Sequence, residues 1–329
     1  MEISIIGAGG IGSVIAAYLS RAGHQVTLAY KARSDARAVR EHGLHVTGIQ
    51  DFDATVNVIE WPTRIPSCDL LIVAVKTYDT REALRMAQGV PVGLILSAQN
   101  GLQKERVIAE MLGEDRVIGA VIQITGTNQG AGRLFHPSIS LSFVGEMDER
   151  DSERAKSVAR ILTDGGIPTE ASPMIRSIEW TKTCQWTATS LLSVMTGYSF
   201  PAIYSTPWLN PLLVRIVREC TEIARLDGAT IVEIPGLFVL RLINSDENVS
   251  YAWLQEQGKK LEEEQGDYRA SMLVDIEQRA KTEFDDIIGH VQRKSREHNI
   301  ETPALDFAIR QVTQYIKSLR GVAFSGQNG

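Results

Sequence analysis

The sequence has few cysteines and no long apolar run. Its three cysteines, Cys68, Cys184 and Cys220, are odd in number and far apart. They do not have the spacing of metal ligands and fit a reducing cytoplasm, so we expect no metal site. No segment approaches eighteen consecutive apolar residues, the length that a membrane-spanning helix needs. We therefore expect a cytoplasmic protein without a membrane anchor.

The chain also lacks an excess of positive charge and a basic leader. Its 40 acidic and 34 basic residues give a net charge of −6, which offers no wide basic field for nucleic acid or an anionic membrane. The first residues enter a strand pattern at once, which argues against a secretory signal. The expected partner is a small-molecule substrate.

What the chain has is enough apolar residues for two ordinary domains. The composition, 43% apolar and 22% charged over 329 residues, is typical of a globular protein. In the first half, short apolar runs alternate with helical patterns, and the runs do not alternate internally, as expected for strands covered on both faces. This order predicts a doubly wound parallel sheet. The predicted strands are 3–6, 25–30, 70–75 and 93–97, with a helix over 12–21 and further β structure over 117–145.

The second half has mainly helical patterns. We place the domain boundary near residue 171, which gives an α/β domain over 1–171 and an all-helical domain over 172–329. The predicted helices are 151–163, 173–195, 209–227, 251–265, 271–297 and 303–319.

A glycine-rich turn joins the first strand to the first helix. The segment Gly7-Ala8-Gly9-Gly10-Ile11-Gly12 fits the pattern G-x-G-x-x-G in the required strand–turn–helix context. The first glycine permits the tight turn, the second lets backbone approach a pyrophosphate, and the third lets the helix lie close to the strand. The helix N-terminus supplies amide donors to phosphates. The pattern predicts a Rossmann-type dinucleotide site; the alternative is a structural turn without a ligand.

The end of the second strand bears on the choice of dinucleotide. An acidic residue there would bind a ribose 2′-hydroxyl and repel a 2′-phosphate. The chain has Lys31 and Arg33 instead, and no acidic residue stands between the end of this strand and Asp35. This favours NADP over NAD; the alternative is that both are ordinary surface cations.

Two later strands end in polar residues. Lys76 follows one buried strand, and Asn100 follows the next. In an open α/β sheet the carboxyl ends of the strands face the ligand crevice, so both side chains are candidates for ligand contacts. Each could also be a solvated loop residue.

A lysine and a glutamate stand out in the helical half. At 100° per residue, Lys182 shares a helix face with Ile178 and Trp186, which predicts that it points toward the core. A buried ammonium needs a partner or a lowered pKa, and a lowered pKa suits a general acid. Alternatively, the lysine snorkels to water. Glu283 falls near the apolar stripe of the predicted helix 271–297, either as partner of a buried cation or in a surface bridge to Arg279.

Together these residues resemble the ketopantoate reductase (2-dehydropantoate 2-reductase) family, which acts in pantothenate biosynthesis. The resemblance covers nearly the whole chain. It consists of the glycine turn and five further motifs, Ala74-Val75-Lys76-Thr77-Tyr78, Gln99-Asn100-Gly101-Leu102, Trp180-x-Lys182, Met195-Thr196-Gly197 and Ser271-Met272-Leu273-x-Asp275 followed by Thr282-Glu283.

The resemblance implies hydride transfer from NADPH to a 2-oxo acid in a cleft between a Rossmann domain and a helical domain. Lys182 would be the general acid, and Asn100 would contact substrate and cofactor. Ser271 would hold the substrate carboxylate. Further cofactor contacts would come from Lys76, Glu283 and the backbone of Thr125.

The chain departs from the family where the substrate is expected. Asparagines usual at the fourth and eighth positions after the lysine are Trp186 and Ser190, another aligns with Phe200, and a common aspartate is Ser177. Trp186 lies one turn from Lys182 and should line the substrate pocket with Ser190. Losing amides that bind a substrate hydroxyl removes the groups on which discrimination depends. We therefore expect a bulkier or more apolar 2-oxo acid or ketone than ketopantoate.

Three alternatives remain. One is a family member working in the oxidative direction. Another is an oxidoreductase acting on an imine or alcohol, against which the retained Lys182 argues. The third is a non-enzymatic dinucleotide sensor, for which a lost lysine and an added partner-binding segment would be expected. The sequence is compatible with a homodimer but does not demonstrate one.

Overall fold

The computed structural model describes residues 1–265 and 268–325. The chain divides into two compact units, Met1–Glu179 and Trp180–Gly329. This division falls inside the long helix Ile175–Thr196, whereas the boundary expected from sequence lies before that helix.

The first unit contains twelve strands and six α-helices. The last of these helices continues into the second unit. The strands are β1 Glu2–Ile6, β2 Gln25–Tyr30, β3 Leu44–Gly48, β4 Phe52–Ala54, β5 Asn57–Glu60, β6 Cys68–Val73, β7 Val92–Ser97, β8 Val117–Val121, β9 Thr127–Asn128, β10 Arg133–His136, β11 Ser142–Gly145 and β12 Thr169–Ala171. The helices are α1 Gly10–Arg21, α2 Arg33–His42, α3 Thr80–Leu84, α4 Lys104–Leu112, α5 Glu153–Asp164 and α6 Ile175–Thr196.

The main sheet has eight strands in the order β12-β11-β8-β7-β6-β1-β2-β5. The six strands from β8 to β5 in this order are parallel to one another, and β11 is antiparallel to β8. The chain winds from β1 toward β2 on one side and later toward β6 on the other. The topological switch point therefore lies at the carboxyl end of β1, where the glycine turn begins. The predicted fold class is confirmed.

The central strands of this sheet, β1 and β6, are buried on both faces. Ile3 and Ile5 of β1 belong to one hydrophobic cluster, whereas Ile6 belongs to another. In β6, Leu70 joins the first cluster and Leu71 the second. Successive side chains of a strand point to opposite faces, so both faces are covered, as the lack of alternation in the sequence indicated.

A second, four-stranded sheet was not predicted. Its order is β4-β3-β10-β9, and β10 pairs with β3 in parallel. Its strands are short, and β10 is separated from β3 by more than eighty residues of sequence. A local pattern carries no information about so distant a pairing.

The described part of the second unit contains helices and no strand. Besides the remainder of α6, they are α7 Phe200–Ser205, α8 Asn210–Leu226, α9 Val239–Asn244, α10 Glu247–Gln265, α11 Ser271–Glu277, α12 Phe284–Glu297 and α13 Pro303–Ser325. Within the described residues, no helix is both long and apolar enough to cross a membrane.

The single helix expected over 271–297 is wrong, because the structure has two helices there. The N–H of Ala280 donates to the carbonyl of Asp275 at 2.8 Å, and that of Arg279 to Ile276 at 3.0 Å. These are the two hydrogen bonds of a Schellman ending, and Arg279 takes its left-handed position with φ of 55°. Glycine usually fills that position, so the arginine at 279 does not indicate the end of a helix. Glu283 therefore precedes α12, and the helical projection that placed it on a stripe does not apply.

Candidate functional site: a nucleotide-binding turn and a lysine-bearing helix

The glycine turn after β1 is shaped by close backbone packing. Gly7 has φ of 118°, and a Cβ there would lie 2.5 Å from the carbonyl carbon of Ala74, after β6. A Cβ on Gly12 would lie 2.0 Å from the oxygen of Gly7. At Gly9, in contrast, a Cβ would meet nothing within 4 Å. The turn thus keeps open space at the glycine that faces a pyrophosphate in dinucleotide sites, and the residues present fit such a ligand.

Gly10 has a structural role that sequence reasoning missed. Helix α1 begins at this residue, and a Cβ on it would lie 1.8 Å from the carbonyl oxygen of Gly126. Gly126 lies in the loop after β8, and its own Cβ would approach Gly10 to 2.8 Å. The two glycines let this loop pack directly on the first turn of α1.

Thr125, beside that loop glycine, is held by neighbouring protein groups. Its N–H donates to the carbonyl of Ser138 at 3.0 Å, and its hydroxyl lies 2.8 Å from the Ser138 hydroxyl. Its carbonyl accepts a hydrogen bond from Nδ1 of His136 at 2.5 Å. The Thr125 N–H is therefore already used, and a second carbonyl lone pair is the backbone group left for a cofactor.

Charged residues surround the end of β2. Lys31 Nζ lies 3.1 Å from a carboxylate oxygen of Asp79, and Arg33 Nε lies 3.5 Å from Glu60. Arg40, on α2, binds the other Glu60 oxygen at 2.8 Å. Sequence reasoning missed Glu60 as a neighbour, because β5 brings it beside Tyr30 through strand pairing. We call Lys31, Arg33, Arg40, Glu60 and Asp79 the β2 charge cluster.

The ends of β6 and β7 are tied together by a glutamine. The side-chain amide of Gln99 donates to the carbonyl of Val75 at 2.7 Å and to the hydroxyl of Thr80 at 2.8 Å. Lys76 and Asn100, the two predicted ligand contacts, flank these bonds and are both half-buried. The structure thus places both candidates at the same edge of the sheet, and Gln99 fixes the backbone that carries them.

A buried ionic triad lies just after Asn100. Lys104 Nζ lies 2.7 Å from Glu105 and also hydrogen-bonds Glu179 of α6, and none of the three side chains is more than 2% exposed. Burial, followed by the Glu179 carboxylate, raises the pKa of Glu105 to about 8. Burial alone would lower the pKa of Lys104, but the two carboxylates hold it above its ordinary value. The sequence offered no sign of this triad, since Lys104 and Glu105 begin a helix as ordinary surface residues do.

Helix α6 corrects one expectation about Lys182. The lysine does not lie in the core: it and Trp186 are half-buried, whereas every other residue from 177 to 194 is buried. Because this helix is buried around almost its whole circumference, apolar periodicity could not tell its inner from its outer face. Lys182 and Trp186, one turn apart, form the open stretch of the helix.

The other predicted residues of the second unit differ in accessibility. Ser190 is fully buried, and its hydroxyl has no hydrogen-bond partner within the described structure. Ser271 is exposed at the first residue of α11, whereas Glu283 is 8% exposed. Beside Ser271, Arg269 binds Glu277 at 2.8 Å and the carbonyl of Gly197 at 3.1 Å. Arg269 thus links the Ser271 segment to the end of α6, a contact that sequence reasoning missed.

No group of three or more histidine, cysteine, aspartate or glutamate side chains within residues 1–265 and 268–325 is arranged to hold a metal ion. The three cysteines are buried and unpaired.

Models of one protein family match both halves of the chain. The family described as ketopantoate reductase PanE/ApbA matches residues 3–149, and its C-terminal model matches residues 174–316. The chain belongs to the ketopantoate reductase family. The resemblance inferred from the sequence motifs is thereby confirmed, and the chain is an oxidoreductase with a Rossmann-type first unit.

Relatives in this family cover nearly the whole chain. The 2-dehydropantoate 2-reductase of Archaeoglobus fulgidus is 27% identical over 307 residues, which are 91% of this chain and 92% of that protein. The corresponding protein of Pyrococcus abyssi is 28% identical over 92% of this chain and 94% of its own length.

Solved structures of other proteins share the fold. D-mandelate dehydrogenase with NADH and anilino(oxo)acetate superposes with a TM-score of 0.84 at 21% identity, covering 97% of this chain and all of that one. The 2-dehydropantoate 2-reductase of Geobacter metallireducens gives 0.81 at 23% identity, covering 96% of this chain and all of its own.

Proposed function

We propose that the protein reduces a 2-oxo acid or a related ketone with NADPH, and that Lys182 is the general acid. The observation that carries this proposal is the position of Lys182. It stands at the open stretch of an otherwise buried helix, in a chain of a reductase family. A lysine kept there has access to a ligand, unlike its buried neighbours.

The cofactor is proposed to bind the glycine turn through residues 7–12. The open space at Gly9 and the N-terminus of α1 suit a pyrophosphate. Lys31 and Arg33 would hold the 2′-phosphate, while Lys76, Asn100, Thr125 and Glu283 would complete the contacts. Bound NADPH would supply the hydride.

Lys182 would donate a proton to the carbonyl oxygen of the substrate. Its positive charge also stabilises the oxyanion, which carries more charge in the transition state than in the ketone. Asn100 would orient the carbonyl, and Ser271 would hold the carboxylate end.

Trp186 is proposed to select the substrate. It stands one turn from Lys182 where the family usually has an asparagine, and the next asparagine position is the buried Ser190. An indole favours an apolar group and offers only one hydrogen-bond donor. We therefore propose a substrate bulkier or more apolar than ketopantoate. The structure of D-mandelate dehydrogenase, which holds anilino(oxo)acetate, makes aryl 2-oxo acids the first set to test.

We assign residues 1–171 to the cofactor and residues 172–329 to the substrate, so that the whole of α6 belongs to the second domain. We also propose a cytoplasmic location. We further propose a homodimer, since one family structure is described as a dimeric ketopantoate reductase from Staphylococcus aureus.

The substrate proposal is tested by comparing kcat/KM for ketopantoate, 3-methyl-2-oxobutanoate and benzoylformate. The native protein should favour benzoylformate or 3-methyl-2-oxobutanoate, and Trp186→Asn should shift the preference toward ketopantoate by about tenfold or more. A native preference for ketopantoate that Trp186→Asn does not change would contradict the role of Trp186. Activity seen only with hydroxy acids and NADP⁺ would favour the oxidative direction.

A further inference from the structure

The β2 charge cluster contains two acidic residues that ought to work against NADPH, Glu60 and Asp79, and Asp79 is paired with Lys31. Glu60 ends β5 and pairs with Tyr30, the residue before Lys31. The N–H of Trp61 donates to the carbonyl of Tyr30 at 2.8 Å, which fixes the end of β5 against the end of β2. Neighbouring strands lie about 4.8 Å apart, so the Glu60 carboxylate lies close to any phosphate bound by Lys31 or Arg33.

An ionised carboxylate at this place would discriminate against a 2′-phosphate. It would repel the phosphate and offer acceptor oxygens to a ribose hydroxyl, as the acidic residue of NAD-binding sites does. The preference for NADP expected from the sequence depended on the absence of such a residue after β2. In the structure, strand pairing supplies one.

Arg40 binds the Glu60 carboxylate from the side opposite Arg33. Its Nη1 lies 2.8 Å from Oε1 of Glu60, and its Nη2 donates to the carbonyl of Val58 at 3.4 Å. Arg33 approaches the second oxygen, Oε2, at 3.5 Å, yet its side chain is 87% exposed. Arg40 is thus anchored to β5 by two groups, whereas Arg33 is held at longer range and is accessible to a ligand.

We propose that Arg40 and Glu60 together set the cofactor preference, with Arg40 neutralising Glu60 so that Arg33 is available to the 2′-phosphate. Arg40 is a positioning and neutralising residue that acts through Glu60 and does not itself touch the cofactor. This inference rests on the proposed binding of NADPH and names a determinant of it. It predicts that the effect of Arg40 on affinity disappears when Glu60 carries no charge.

The test measures dissociation constants for NADPH and NADH by isothermal titration at low and physiological salt. Arg40→Met should weaken NADPH binding about three- to tenfold with little effect on NADH, and the loss should shrink as salt screens the exposed charges. Glu60→Gln should leave NADPH binding equal or tighter. In the double variant, Arg40→Met should change the NADPH constant by less than about twofold.

Helix α2 offers a matched control. Arg37 pairs with Glu41 at 2.8 Å on the exposed surface of the same helix, so Arg37→Met removes an equal charge without touching Glu60. It should leave both constants nearly unchanged. Equal losses from Arg37→Met and Arg40→Met, or a full loss from Arg40→Met in the Glu60→Gln background, would overturn the inference while leaving NADPH binding intact. A native protein that binds neither nucleotide, or binds NADH more tightly, would overturn this inference and the proposed cofactor together.

Discussion

The ammonium of Lys104 and the carboxylate of Glu179 meet inside the first unit, with at most 2% of either side chain exposed. The contact joins the start of α4 to the start of α6, the helix that carries Lys182 one turn later. Asn100 lies four residues before Lys104, so the loop bearing one candidate ligand contact is anchored next to a buried ion pair.

Breaking this pair should strongly destabilise the protein. Lys104→Met leaves Glu179 buried with only the more distant Arg176, at 3.9 Å, so we expect a loss of about 3–5 kcal/mol in the free energy of unfolding. Urea denaturation followed by circular dichroism measures it. Arg37→Met, which breaks a fully exposed pair, should leave the free energy of unfolding nearly unchanged. Similar values for the two variants would show that the buried triad does not stabilise the fold.

Glu105 should give the protein a pH-dependent stability. Burial raises its pKa to about 8, far above its ordinary value of 4.5, so between these values the folded protein keeps a proton that the unfolded chain releases. The free energy of unfolding should therefore fall as pH rises from about 5 to 8.

The variant Glu105→Gln isolates that contribution. Glutamine resembles the protonated side chain, so stability at pH 6 should change by less than about 1 kcal/mol, while the fall toward pH 8 should be smaller than in the native protein. The comparison cancels groups common to both proteins, such as His290, whose pKa burial lowers to about 4. Parallel stability curves for the two proteins would rule out a raised pKa at Glu105.

Substitutions in the glycine turn should separate effects on ligand binding from effects on stability. Gly9→Ala should leave the free energy of unfolding within about 0.5 kcal/mol, because a Cβ there meets nothing and its φ of −77° suits any residue. It should weaken NADPH binding by about tenfold or more, because the methyl group would stand where backbone must approach a pyrophosphate.

Gly10→Ala should behave in the opposite way. Its Cβ would overlap the backbone oxygen of Gly126, so the loop after β8 would have to move and the free energy of unfolding should fall by about 2 kcal/mol or more. Thermal unfolding without ligand measures both variants. Equal stability losses at the two positions would contradict the steric distinction.

The sequence predicted the features that depend on local patterns. The strand β2 was predicted residue for residue, and the glycine turn was placed between the correct strand and helix. Such features follow from backbone geometry and from burial on both faces, which leave a local signature.

What the sequence could not show depends on distant contacts or on residues that break local rules. Glu60 lies beside the end of β2 only because β5 pairs with β2, and Gly10 meets Gly126 across more than a hundred residues. The end of α11 has arginine where glycine is usual, so the sequence predicts one continuous helix over 271–297. Periodicity failed for Lys182 because α6 is buried on nearly all sides.

The central claim is that Lys182 protonates a ketone reduced by NADPH. It is tested most directly by NADPH oxidation with a panel of 2-oxo acids, for the native protein, Lys182→Ala and the exposed-lysine control Lys317→Ala. We expect turnover with at least one 2-oxo acid, a fall in kcat of about 100-fold or more in Lys182→Ala with NADPH affinity kept, and native rates in Lys317→Ala. Native turnover in Lys182→Ala, or no oxidation with any ketone, would contradict the account.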